Sequence, residues 1–144
     1  MHRVQAVLPP PPGAPAHLAR ATDARAFGLR PQLTVNAVDP DPGAPAGEAR
    51  GVLTVGFTPA AAQGQQVRLM LDERVAAAPR AAILAPDPPG AFPAAELRFA
   101  YAGLRPGRHL VRAQVDGVDS AVELDATPGA PTEGEITGPE ADLP

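Results

Sequence analysis

Residues 104–124, LRPGRHLVRAQVDGVDSAVEL, constrain the fold of this chain more than any other stretch. Pro106-Gly107 marks a turn, an alternating run follows, Asp116-Gly117 marks a second turn, and an apolar run resumes at Val118. Asp-Gly between two such runs is a hairpin signal. A two-residue type I′ turn needs positive φ at both central positions, which Asp tolerates and Gly adopts freely. The period of two places His109, Val111, Ala113 and Val115 on one face and Leu110, Arg112 and Gln114 on the other. Pro106, Gly107, His109, Asp116 and Gly117 are thus read as the residues that set the turns and the strand between them.

The same period recurs upstream. Leu33, Val35 and Ala37 alternate with Gln32, Thr34 and Asn36; Leu53, Val55 and Phe57 with Thr54 and Gly56; Val67, Leu69 and Leu71 with Arg68 and Met70; and Leu97, Phe99 and Tyr101 with Glu96, Arg98 and Ala100. Ala81 to Leu84 is a short apolar run between Pro79 and Pro86, and Val118 to Leu124 closes the set. Seven short strands with turn signals between them predict an antiparallel all-β sandwich. A parallel α/β fold needs crossovers of about a dozen residues, for which there is no room. The expected core is Leu33, Val35, Leu53, Val55, Phe57, Val67, Leu69, Leu71, Leu97, Phe99, Val111, Val115 and Leu124.

Composition divides the chain. Nine of the 20 prolines precede residue 46, so residues 1–31 read as a proline-rich extension with a weak helix over 14–27. Residues 32–125 read as the sandwich. Residues 126–144 are poor in apolar side chains and read as a disordered acidic tail. There is no cysteine, hence no disulfide framework, and all 12 basic residues are arginine. A net charge of −4 and five aromatic residues do not suit a nucleic-acid surface. No run reaches transmembrane length, and the apolar patch at Val4–Leu8 is too short for a signal peptide. The expectation is a bacterial cytoplasmic protein with no membrane and no nucleic-acid partner.

Catalytic constellations are not apparent. His2, His17 and His109 lie far apart with no second ligand at metal spacing, so no metal and no cofactor are expected. His109 falls where sandwich domains place a tyrosine that ties its strand to the preceding loop, and is read as structural. Asp116, Asp119, Glu123 and Asp125 evoke a calcium site but are better read as a solvated acidic hairpin. Ser120, the only serine, has no local His for a nucleophilic triad. Asp72-Glu73-Arg74 reads as the exposed end of a strand. Arg98 and Arg112 stand on outward faces of strands that could be neighbours, and form the candidate interaction surface.

Two blocks carry a family likeness. Residues 64–73, GQQVRLMLDE, resemble the PGQRVxLLLNE strand in the C-terminal immunoglobulin-like domain of cap, or tail-terminator, proteins of phage-tail-like contractile injection systems. Residues 94–120 resemble that domain's TLTFPLxGLxPGxYLVRVQVDGAES hairpin, in the same order and spacing. His109 stands for the usual tyrosine, Asp72 for asparagine and Ala113 for valine. The family's larger N-terminal domain has no counterpart in these residues. The resemblance implies a non-catalytic structural module accessory to the cap of such a particle. Its partners would be protein components of the particle, and it would be oligomeric only in the assembly. The alternative is a free-standing immunoglobulin-like module that binds carbohydrate or peptide.

Overall fold

The computed structural model describes residues 2–4, 7–8, 20–21, 25–27, 29–74, 79–87 and 94–144. In chain order its strands are β1 (His2–Val4), β2 (Val7–Leu8), β3 (Arg20–Ala21), β4 (Arg25–Phe27), β5 (Gln32–Pro40), β6 (Ala49–Ala61), β7 (Val67–Glu73), β8 (Ala81–Leu84), β9 (Ala94–Leu104), β10 (Gly107–Val115), β11 (Val118–Asp119), β12 (Glu123–Leu124), β13 (Ile136–Gly138) and β14 (Glu140–Leu143). No helix occurs among the described residues. Every strand pairing is antiparallel.

Two sheets carry the body. The first has the order β5-β6-β9; the second has β10 at its centre, β7 and then β8 on one side, and both β11 and β14 on the other. Alternation decides which side chains face inward. Leu53, Val55 and Phe57 from β6 and Leu97, Phe99 and Tyr101 from β9 meet Leu69 and Leu71 from β7 and Val111 and Ala113 from β10 in one core. Phe57 and Phe99 pack with ring centroids 6.4 Å apart, tilted 43°. The two sheets thus share a sandwich-like core, with outward faces such as Arg68, Arg98 and Arg108 exposed. Val35 is only half-buried, because the register slips between Val35 and Ala37 opposite β6.

Three expectations are corrected. First, the helix over 14–27 is not formed where it is described. Arg20–Ala21 and Arg25–Phe27 are strands paired with Val7–Leu8 and His2–Val4, and residues 14–19 and 22–24 lie outside the described residues. The apolar stripe there was too poor to hold a helix, and strand pairing satisfies the same backbone groups.

Second, the run Val118–Leu124 is not one strand. It leaves β10 after Asp119 and becomes β12, which pairs with β13. Ala121 N–H donates to Pro31 O (2.8 Å), and Arg30 Nη2 donates to Ser120 O (3.3 Å). These contacts draw the chain off the sheet toward the start of β5, and Leu124 ends up exposed.

Third, the segment 126–144 is not a disordered tail. β14 lies against β10 in register from Gly107↔Leu143 to Leu110↔Glu140, and Ala141 and Leu143 are fully buried in the core. Glu140 is held by Arg74 Nε at 2.9 Å and Arg108 Nη1 at 3.6 Å, and Arg74 also donates to Ile136 O. Two buried apolar side chains and one partly buried ion-pair cluster order a strand whose composition looked unstructured.

Candidate functional site

The turn before β10 is built as the spacing suggests. The chain crosses from the first sheet to the second between Leu104 and Gly107, with Pro106 in the bend and Gly107 at φ 127°, a value that excludes most side chains. His109 is 1 % exposed, and its Nδ1 lies 2.9 Å from Gly107 O. It ties the strand to the loop just before it. Its cross-strand partner on β7 is Glu73, whose side chain is only 6 % exposed, so the reading of Asp72-Glu73-Arg74 as an exposed end is corrected for Glu73, while Arg74 is exposed. Glu73 Oε2 accepts from Arg80 N–H (3.0 Å) and Arg105 Nη1 (3.4 Å). Among the described residues, His109 Nε2 and Glu73 Oε1 have no hydrogen-bond partner.

The opposite end of β10 carries the hairpin. Asp116 (φ 51°) and Gly117 (φ 82°) both occupy the left-handed region, as a type I′ turn requires. Asp116 does more than turn the chain. Its carboxylate accepts from Gln66 N–H (2.9 Å) and Gln65 Nε2 (3.1 Å), and its own N–H donates to Gln66 O (2.9 Å). The Gln66 N–H, and then the Gln65 amide, hold the Asp116 carboxyl below the usual carboxylate range. This hairpin end is thus bonded to the loop between β6 and β7, where one sheet hands over to the other. Beside it opens an apolar cleft of about 240 Å³ walled by Leu29, Pro31, Phe57, Pro59, Val115 and Val118.

Arg98 and Arg112 do not form a common basic stripe. Arg98 is on β9 and Arg112 on β10, so they lie on different sheets with outward faces on opposite sides of the core. Arg112 Nε and Nη2 both donate to Asp72 Oδ2 (2.9 and 2.7 Å), which neutralises it. The strands are consecutive in sequence, but the corner at Pro106-Gly107 separates them.

The acidic residues of the hairpin take separate partners. Asp119 accepts from Gln114 Nε2 (3.2 Å). Asp125 accepts from Thr132 Oγ1 (2.6 Å) and Thr127 N–H (2.9 Å), which depress its carboxyl in that order. Among the described residues no group of three or more His, Asp and Glu side chains is placed to hold a metal ion. Ser120 is buried; its Oγ accepts from Ala113 N–H (3.0 Å) while its own N–H donates to Ala113 O (2.7 Å). It extends the ladder past the end of β11. Tyr101, also buried, has its phenol pushed up by burial and by the Asp39 charge. Among the described residues no helix is long and apolar enough to cross a membrane.

A family model described as Domain of unknown function (DUF8756) matches residues 30–140, and the chain belongs to that family. The match runs from Arg30 to Glu140, the first residue of β14, so it takes in β5 to β13. No curated protein and no solved structure matches the chain.

Proposed function

We propose that this protein is a non-catalytic interaction module of immunoglobulin-like topology, accessory to the cap or tail end of a contractile injection particle. The observation that carries the reading is the pair of resembling blocks, residues 64–73 and 94–120. They coincide with β7 and with β9, β10 and β11, and β7 and β10 pair with each other over seven positions, from His109↔Glu73 to Val115↔Val67. The likeness therefore falls on strands that contact one another.

The strand order supports the immunoglobulin-like assignment. Seven strand positions arise if β11 and β14 are counted together as one edge: three in the first sheet and four in the second. His109 fills the tying position of the corner. The module acts by presenting edges and loops to a protein partner in the assembled particle. The expected experiment is co-expression with the genes adjacent to its own. Co-purification with tube, sheath or cap components supports the reading. A chain that stays monomeric in that mixture, while giving a saturable hit on a glycan array, replaces it with the carbohydrate-binding alternative.

A further inference from the structure

Another cleft, of about 520 Å³, lies on the first sheet at the end where β5 passes into β6. We propose that it binds the guanidinium or ammonium of an arginine or lysine side chain from a protein partner, held by the Asp39 carboxylate and the Tyr101 hydroxyl.

Three observations carry this. The first is a buried group without a partner. Pro40, Gly51 and Tyr101 stand in one row across β5, β6 and β9. Gly51 has no side chain, so the phenol of Tyr101 reaches across it toward Asp39. A Cβ at 51 would collide with Asp39 O and stand 2.8 Å from Tyr101 Oη. Tyr101 is 2 % exposed, and among the described residues its Oη has no hydrogen-bond partner. A buried hydroxyl is costly to leave unpaired, and a donor brought by a ligand removes that penalty.

The second is charge. Asp41 is taken by Arg50, whose Nε lies 2.9 Å from Asp41 Oδ2 and whose Nη2 donates to Gly43 O (2.9 Å). Asp39 is exposed, and its carboxylate makes no hydrogen bond or ion pair among the described residues. The Tyr101 phenol is pushed up by burial and then by the Asp39 charge, so the two groups are near enough to share one ligand. A cation there gains an ion pair to the carboxylate and a hydrogen bond to the phenol oxygen. The third is shape. Pro40, Pro42, Val52 and Ala100 line the rest of the cleft and suit the aliphatic stem of a long cationic side chain. Ala100 and Ala102 belong to β9, the edge strand of its sheet, so the cleft opens where the backbone of a partner can run alongside.

Tyr101 is the only tyrosine of the chain, so a tyrosine ¹³Cζ label in the full chain gives one resonance that reports on this hydroxyl. N-acetyl-arginine amide is the probe. N-acetyl-citrulline amide, of the same shape without the charge, is the control. The arginine probe is expected to move the Tyr101 resonance and the amides of Gly51 and Ala102 along one saturable curve, in the millimolar range that suits a single side chain. Citrulline should bind about tenfold more weakly, and the arginine probe should lose the same factor on Asp39→Asn, whose substituted side chain is exposed. Tyr101→Phe, followed through the same amides, should weaken binding by about threefold to tenfold. The absence of any saturable shift would overturn the proposal, and is the result expected if an internal water is the only partner of the hydroxyl. Equal binding of citrulline, or an Asp39→Asn protein with the parent affinity, would overturn it as well. The readout needs no particle component, so it stands or falls separately from the proposed function.

Discussion

At the scale of single residues, Asp116 shows how one side chain serves two levels of structure. Its backbone supplies the first left-handed position of the hairpin, and its carboxylate binds the loop leading into β7. Asp116→Asn keeps the turn, because Asn tolerates the same backbone region, but removes the charge that the Gln66 N–H stabilises. The carboxyl is depressed in the folded state, so its contribution is present above the unfolded value of about 3.9 and is lost as pH falls through the lower folded value. Urea midpoints of the parent and Asp116→Asn should therefore differ at pH 7, and the difference should shrink as pH is taken progressively below about 3.9. A gap that stays constant with pH would show that the carboxylate charge plays no part. The turn role of Asp116 was legible in the sequence, because Asp-Gly carries a local signal. Its bond to Gln66 was not, since that contact joins loops some fifty residues apart.

At the scale of elements, what was legible followed from period two. β5, β6, β7, β9 and β10 lie on the runs read from alternation and β8 on the apolar run between Pro79 and Pro86; most inward side chains are those on the expected face, but Val35 is half-buried and Leu110, on the opposite face of β10, is buried too. The failures share a cause. The run after Val118 looks continuous, yet the strap from Arg30 and Pro31 pulls the chain away at Ser120, and no local pattern encodes that contact. Arg98 and Arg112 looked like neighbours because their strands are consecutive, although the Pro106-Gly107 corner moves the second strand to the other sheet. Ser120 was weighed only as a nucleophile without a local His, whereas it caps the ladder beside β10. Ser120→Ala leaves Ala113 N–H buried without that acceptor, which should cost about 1–3 kcal/mol in a denaturant titration. A change within about 0.5 kcal/mol, the range typical of neutral surface substitutions, would mean that the hydroxyl is replaced by water at no cost.

At the scale of the whole molecule, the body is two antiparallel sheets around one core, and its second sheet is finished by a strand from the far end of the sequence. β14 was invisible to composition because only Ala141 and Leu143 are apolar and buried in a segment otherwise rich in Thr, Gly, Pro and Glu. What orders it is distant: the open side of β10 offers backbone partners over Gly107–Leu110, and Arg74 and Arg108 converge on Glu140. The family match ends at Glu140, the first residue of β14. A module that presents its edges to a partner depends on how those edges are closed, and β14 closes part of one. The most direct measurement is the unfolding free energy of Leu143→Ala against the parent. As a core side chain 1 % exposed, its truncation should cost about 2–5 kcal/mol with the slope of the denaturant dependence unchanged. A loss below about 0.5 kcal/mol, as expected for a residue in a tail, would contradict a sandwich completed by its C-terminal strand.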